Sequence, residues 1–501
     1  MNLLAVARTR KVLHLTILLP LALSSFTHLW NPTGFPDLFF DEGIYMRRAV
    51  HFLEYGTPQE AFFHDHPFFG QIFLAGALAV IGYPDSLNPT KDVQSIESLY
   101  LAPRVLMGLL AIIDTFLIYK ISEKRYDSKV ALIAAILFAV MPVTWFVRRI
   151  LLDSILLPFF LTSILFAVYL KDSDTTDYGR NKRRRYVLIA LSGAFLGLAI
   201  FTKLPIVTFV PLVGYLVYSN GSKKLWSIGL WIIPVVLIPL LWPLESIATG
   251  QFDLWVRDVL WQANRDSDRI GALVVPLSII DPVLLAVGSA GIVYSAIKRD
   301  ILILLWLLPF LLFLSFVGYV QYFHIIPIIP VFCVAAALLI NSLASRARNN
   351  AAKRNIARIG ILLPVALFGF VSTVLLITTD TTSAQLEAAA FVLSLADDGH
   401  TSIIASPIYS WMYIYVFDVD NTFRDYLDVL YYPIQTEKII VVSDNHLEND
   451  LDIGEKLRQA YSDTHAIRTF EGNVLNYDLE QYPYTSMNKN YEGSRIEIRT
   501  N

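Results

Sequence analysis

The feature that most restricts what this chain can become is a succession of apolar runs near membrane-spanning length, at 12–30, 68–83, 99–119, 128–147, 150–170, 186–201, 204–218, 225–247, 273–297, 301–318, 324–342 and 359–378. Inside a bilayer every backbone N–H and C=O needs an internal partner, so apolar runs of ~20 residues predict helices. Composition agrees, since 55% of the residues are hydrophobic, 17% are charged and the mean hydropathy is +0.52. A soluble chain of this size would carry more polar surface. The net charge of -3 gives no basic field for nucleic acid. With Cys333 as the single cysteine, neither an intrachain disulfide framework nor a cysteine metal site can form.

Between the runs lie basic clusters: Arg8, Arg10 and Lys11; Lys120, Lys124, Arg125 and Lys129; Arg180 with 182–185; Lys223 and Lys224; Lys298 and Arg299; and Arg346, Arg348, Lys353, Arg354 and Arg358. Basic residues favour the cytoplasmic side. Placing all of these inside gives a consistent topology from residue 120 onward, with the N-terminus cytoplasmic and the chain beyond about 379 outside. The run at 68–83 is short, and a full crossing there would put the Lys120 to Lys129 cluster outside. The pattern therefore predicts an all-α polytopic membrane protein of roughly 11–13 transmembrane helices, with 68–83 re-entrant or tilted. The first run reads alternatively as a cleaved signal peptide, because Ala22, Leu23 and Ser24 form a passable small-residue site.

Residues 1–380 then form a membrane domain whose first outer loop spans 31–67, and 381–501 form a small extracytoplasmic α/β domain. In that tail SAQLEAAAFVLSLADDG looks helical, KIIVVSD strand-like, ENDLDIGEKLRQAYSD helical, and AIRTF and NVLNYDL strand-like.

Chemistry concentrates at the outer turns. The first outer loop carries Asp41 and Glu42 ahead of a stretch in which Tyr45, Met46, Ala49, Val50, Phe52 and Leu53 alternate with Arg47, Arg48, His51 and Glu54, the pattern of an interfacial helix. The bland reading is that Asp41 caps that helix. Next comes His64-Asp65-His66, which invites a metal reading, although alternation in an extended segment would turn Asp65 away from both histidines. The turn at 145–154 places Arg148, Arg149 and Asp153 outside, against the charge trend. Guanidinium groups there suit an anionic phosphate, with snorkelling at a span end as the plainer alternative. Lys203 follows Thr202 in another outer turn, and Tyr322 and His324 stand in a third, where an aromatic belt also accounts for the tyrosine.

With these residues in view the sequence resembles the protein O-mannosyltransferases and the wider GT-C type of polytopic glycosyltransferases that use polyprenyl-phosphate sugars. The resemblance rests on Asp41-Glu42; on Asp65-His66-Pro67 with Gly70, similar to a D-x-H-P-P-L-G-K run; on Ala102-Pro103-Arg104; on Arg149 to Ser154, similar to R-x-I-L-L-D-S; and on Gly193 to Lys203. These pieces fall in the right order over about the first 220 residues. Two departures stand out: Phe68 replaces the second proline of the run and Gln71 replaces its lysine. No segment between spans is long enough for the β-trefoil insertion of the eukaryotic protein-modifying members. The N-x-S/T sequon at Asn220 falls on the cytoplasmic side, so a tail without sequons or cysteines points to a prokaryotic cell membrane.

The resemblance implies an inverting transfer of a sugar, mannose in that family, from a polyprenyl- or dolichyl-phosphate donor to a protein, lipid or envelope-glycan acceptor. Asp41 would be the general base, with Glu42 and Asp65 orienting sugar or acceptor. His66, Arg104, Arg149 and Lys203 would hold the donor phosphate, and Asp153, Tyr322 and His324 would complete the pocket. No nucleotide or metal motif is present, and no cofactor is expected. The rival class is a transporter with a charged outer vestibule, which would more naturally carry its charges on broken helices at the midplane. A membrane anchor for the tail is the third reading, and it needs neither so many spans nor polar outer turns. The topology is testable with reporter tags: those after residues 125, 183 and 350 should report cytoplasm, and those near 60, 260 and 450 the outside. An outside signal after 125 would make 68–83 a true crossing.

Overall fold

The computed structural model describes residues 16–60, 63–171, 180–221, 224–265, 271–317, 319–346, 350–396, 399–472 and 495–501. Arg8, Arg10, Lys11, Lys223, Arg348, the start of the first apolar run, most of the polar loop 171–185 and the strand expected at NVLNYDL lie outside the described residues.

Among the described residues six helices are long and apolar enough to cross a membrane: Val93–Arg125, Leu152–Tyr169, Lys182–Thr202, Lys224–Ala248, Tyr322–Arg346 and Ala351–Ile377. Two further pairs reach that length across a bend, Ser128–Val140 with Pro142–Arg148 at 70° and Leu273–Ile280 with Pro282–Ile297 at 117°. The shorter apolar helices Leu18–Leu29, Leu204–Asn220 and Ile301–Phe316 occupy the remaining runs. The chain is thus a polytopic, mainly helical membrane protein. One expected continuous run, 273–297, is broken where buried Asp281 caps the second helix through the Leu284 amide.

The helices differ in what covers them. Leu152–Tyr169 buries 78% of its apolar window within the protein and Ala351–Ile377 only 17%, so the first is central and the second peripheral. On the peripheral helix Ile356, Ile359, Leu363 and Leu367 recur at helical spacing and are exposed, a face suited to lipid and not to water. Leu152–Tyr169 packs between Val93–Arg125 and Arg180–Thr202, and Ile329–Arg346 packs on Pro282–Ile297. In the latter contact Gly291 lies against the Ala335 backbone, an approach that leaves no room for a Cβ. Phe69–Val80 has 12 residues, ~18 Å at 1.5 Å each, well short of a hydrocarbon core of ~30 Å. It packs on the outer-loop helix, as a tilted or re-entrant segment would.

The two ends of the helical array have different chemistry. Arg125 and Tyr126 both reach Asp300, Arg185 donates to the Asn220 carbonyl, and Arg358 donates to Asn341 and Asn355, so several expected basic clusters gather at one end. Arg104 sits 21 residues before Arg125 on the same helix, about 30 Å away along its axis, at the other end.

That other end is built on the first outer loop. Its helix runs Phe40–Tyr55 and stops at Gly56, which supplies φ +69°. The helix is more deeply embedded than an interfacial one: Arg48 is buried and pairs with Asp65 at 2.8 Å, and Arg47 pairs with Glu60 at 2.6 Å. The tail covers it. Helix Pro407–Tyr415 packs along Phe40–Tyr55, with Gly43 against the Pro407 carbonyl. Tyr100 donates to the Ile408 carbonyl at 2.7 Å and accepts from the Trp411 indole at 3.0 Å. Gln385 exchanges two bonds with the Leu38 backbone. Behind this contact stands a four-stranded sheet of β1 (Thr401–Ile404), β2 (Lys438–Ser443), β3 (His465–Glu471) and β4 (Arg495–Thr500). Its order is β1-β2-β4-β3, with β1 parallel to β2 and the other pairs antiparallel. The strands β2 and β3 fall where KIIVVSD and AIRTF predict them; β1, β4 and helix Pro407–Tyr415 are additions.

A buried ionic node fastens loop to helices. Glu42 is fully buried and accepts from Arg104 at 2.7 and 3.2 Å, from Arg149 at 3.2 Å, and from the Phe39 and Ile150 amides at 3.0 Å each. Arg104 also donates to the carbonyls of Pro32, Thr33, Pro36 and Asp37, and Arg149 to both the carbonyl and carboxylate of Asp37. Burial alone would raise the Glu42 pKa, but the two guanidinium groups outweigh it and hold the carboxyl below its usual range. Removing that charge strands two buried cations. Glu42→Ala should therefore cost about 3–5 kcal/mol, read as a lowered thermal unfolding midpoint of the purified protein. A wild-type midpoint would show that the node is dispensable.

Candidate functional site

Asp41 is the neighbour of Glu42 in sequence and its opposite in environment. Successive helical residues point ~100° apart, so with Glu42 turned into the node Asp41 faces another side, where it is half-buried. No hydrogen bond or ion pair to its carboxylate forms among the described residues. Burial raises its pKa, an effect that Lys203 and Arg265 partly offset and Asp65 and Asp153 reinforce.

Four elements surround this carboxylate. From the loop before Phe69–Val80 come Asp65, paired with Arg48, and His66. Asp65 is held below the usual carboxylate range, because Arg48 and His66 outweigh its burial. His66 is pushed down to about 4 by burial and by the nearby cations Lys203, Arg48 and Arg265, so near neutral pH it offers a neutral imidazole. From the starts and ends of spans come Asp153 and Lys203, joined at 2.5 Å, with the Lys203 ammonium 5.0 Å from the Phe323 ring centre. His324 accepts the Gln321 amide at 3.1 Å on one ring nitrogen and is partly exposed.

The fourth element escaped the sequence reading. Helix Phe252–Ala263 ends just before Arg265, whose guanidinium lies 3.7 Å from the Tyr319 ring centre and 4.9 Å from that of Trp261. Arg265 acts electrostatically on Asp41, His66 and His324, and no carboxylate forms an ion pair with it among the described residues. The helix is tied to the histidine loop: Asp258 accepts the His64 amide at 2.8 Å, and the His64 ring meets Gln251 at 3.1 Å.

The structure thus brings Asp41, Asp65, His66, Asp153, Lys203 and His324 together. It places Glu42, Arg104 and Arg149 in the adjoining buried node, where Arg104 and the terminal nitrogens of Arg149 bond Glu42 and the loop. The sequence leads one to expect these three at the donor or the catalytic centre, and the structure engages them with one another and with the loop of residues 32–37. Tyr322 is buried against Phe39 and Phe146 and forms a wall between node and site. His64 turns away from His66 toward the outer helix, which separates the ligands a His-Asp-His metal site would need. Among the described residues no group of three or more His, Cys, Asp or Glu stands close enough to hold a metal ion. Gln71, where the resemblance expects lysine, is buried with its amide on the Pro58 carbonyl at 3.3 Å.

Comparison with known proteins bears on the fold and the family. The sequence model of the family described as dolichyl-phosphate-mannose-protein mannosyltransferase matches residues 17–245. No curated protein matches the chain. Among solved structures, the chain is similar to the oligosaccharyltransferase of Archaeoglobus fulgidus solved with a tethered acceptor peptide, at 12% identity over 90% of this chain and 72% of that one, TM-score 0.57. ArnT from Cupriavidus metallidurans is similar at 14% identity over 98% of each chain, TM-score 0.57 in the apo state. The same protein bound to undecaprenyl phosphate gives 13% identity over 97% of each chain and a TM-score of 0.55. The chain is therefore a GT-C type polytopic membrane protein in fold, and over residues 17–245 its sequence follows the dolichyl-phosphate-mannose-protein mannosyltransferase family.

Proposed function

We propose that this protein is an inverting membrane glycosyltransferase that takes a sugar, with mannose the first candidate, from a polyprenyl-phosphate carrier and transfers it to a protein, lipid or envelope-glycan acceptor on the extracytoplasmic face of a prokaryotic cell membrane. The observation that carries the reading is Asp41: a carboxylate without an ion-pair partner among the described residues, on which cations from two other elements act. The family match and the carrier-bound relative support the donor class.

In this reading the acceptor hydroxyl gives its proton to Asp41 as its oxygen attacks the anomeric carbon. The bond from that carbon to the phosphate oxygen breaks, and the carrier departs as a phosphate monoester with one more negative charge. Arg265 and Lys203 face the position where that charge develops, and neutral His66 and His324 add hydrogen bonds. Arg265, with no carboxylate partner among the described residues, is the stronger cation for the task, since Lys203 is already shared with Asp153.

Asp41→Asn keeps side-chain size and removes proton acceptance. Transfer from undecaprenyl-phosphate mannose to acceptors in native membranes should fall ~10²- to 10⁴-fold, with binding of undecaprenyl phosphate retained. Transfer at the wild-type rate by folded variant would remove Asp41 as base. Because the Asp41 pKa is raised and the base works deprotonated, the acid limb of the wild-type rate profile should lie above the ordinary carboxylate range. Arg265→Ala should weaken undecaprenyl phosphate binding by about 1.5–3 kcal/mol, the cost of one charge-assisted contact; unchanged affinity would return Arg265 to a stacking role on Tyr319. Mass spectrometry of the lipid-linked sugars that accumulate without the gene names the donor.

A further inference from the structure

Helix Phe40–Tyr55 shows one face to the site, because Asp41, Tyr45 and Arg48 fall at positions i, i+4 and i+7. The middle residue has no role in the chemistry above, yet its hydroxyl is oddly placed. The charges acting on it are the carboxylates of Asp41, Asp65 and Asp153 and the guanidinium of Arg48, which come from three separate elements. Tyr45 is 3% exposed, and no hydrogen bond to its hydroxyl forms among the described residues. A buried phenol normally finds a partner. Burial and the three carboxylates push its pKa well above the usual tyrosine range, so it remains a phenol able to donate and accept.

The charges around it are largely balanced. Arg48 pairs with Asp65 and Lys203 with Asp153, which leaves Asp41 as the carboxylate without a cation of its own. The cation acting on the phenol, Arg48, is already held by Asp65, while Arg265 acts on Asp41 and His66, so a ligand group at the phenol meets polar walls. Sugar hydroxyls, which donate and accept at once, suit such a place, whereas a carboxylated sugar would set its charge against Asp41.

We infer that the Tyr45 hydroxyl, in the space between Asp41, Asp65 and Asp153, contacts a hydroxyl of the transferred sugar and selects a neutral, hydroxyl-rich one. This rests on the glycosyl-transfer reading. Tyr45 is a specificity residue beside the base: it fixes the sugar's orientation one helical turn from Asp41, which receives the acceptor's proton.

The test compares carriers with and without sugar on the purified full-length protein. Wild type should bind undecaprenyl-phosphate mannose or undecaprenyl-phosphate glucose more tightly than undecaprenyl phosphate, and should gain nothing from a glucuronate-bearing carrier. Tyr45→Phe removes a hydroxyl that has no partner in the free protein, so the fold loses nothing. It should cut the sugar-dependent gain roughly 3- to 10-fold, the worth of one hydrogen bond, and leave affinity for the bare carrier unchanged. A full gain in the variant overturns the contact, and an equal loss for the bare carrier makes Tyr45 structural. A gain with glucuronate overturns the preference for neutral sugars. Failure of wild type to transfer sugar from any of these carriers instead overturns glycosyl transfer itself, a result distinct from wild-type transfer with an unaltered Tyr45→Phe variant.

Discussion

Everything at the working end of this molecule depends on one buried carboxylate, Glu42. Two guanidinium groups and two backbone amides converge on it, so five groups from the outer loop and two membrane helices share one charge center. Such a node is costly to desolvate, and loop carbonyls that accept from both arginines offset part of that cost. Its consequence is positional. With Glu42 pinned inward, the next carboxylate along the helix has to face away, and Asp41 is held over the site without a bond of its own. Adjacent acidic residues thereby differ in environment, one fixed in the node and one turned away from it.

The spans were legible because hydrocarbon imposes a rule that composition alone reveals, and the short segment at 68–83 was legible by violating it. The tail was half legible. β2 is a plain apolar strand, but β1 has four residues, too few for a period, and β4 reads RIEIRT, with charged residues at alternate positions masking a strand whose Ile496 and Ile498 are buried. At the site, proximity to the correct end was readable for Asp65, His66, Asp153, Lys203 and His324. Partnership was not. Arg104 and Arg149 look like phosphate ligands from their side of the membrane, and only the carbonyls of 32–37 show that their donors are taken. Arg265 carries no motif: it follows an outer helix with an ordinary aromatic pattern, and its importance comes from folding back over Tyr319.

Charge geography also separates the functional classes. The site residues collect where the outer helix, the ends of three spans and the tail meet, while the basic residues of the opposite end pair with Asp300, Asn220 and Asn341. A transport path would require polar groups continuing between the ends. Asp114, on Val93–Arg125 between them, is fully buried with neither carboxylate oxygen bonded, and no other titratable group acts on it. Its polar neighbours in the array are hydroxyls and His28, with Thr115 bonded to Ser24 and Ser24 to His28, and no second carboxylate joins them among the described residues.

The replacement of an expected lysine by Gln71 bears on how the cation at the donor is supplied. A lysine at that position would ride on the short helix Phe69–Val80, fixed relative to Asp65 and His66. Gln71 bonds to Pro58 instead, and a cation acting on Asp41, Arg265, comes from the segment after Phe252–Ala263. Such an arrangement would be loose were the two sides not coupled. They are: Asp258 on that helix accepts the amide of His64, one residue before Asp65, and the aromatic rings of Phe63 and Trp261 pack 5.5 Å apart beside it. The carboxylate that pairs with Arg48 and the guanidinium stacked on Tyr319 are therefore tied through one short backbone contact. The site therefore holds a cation beside Asp41 on the segment after Phe252–Ala263, although position 71, where resemblance expects lysine, is neutral.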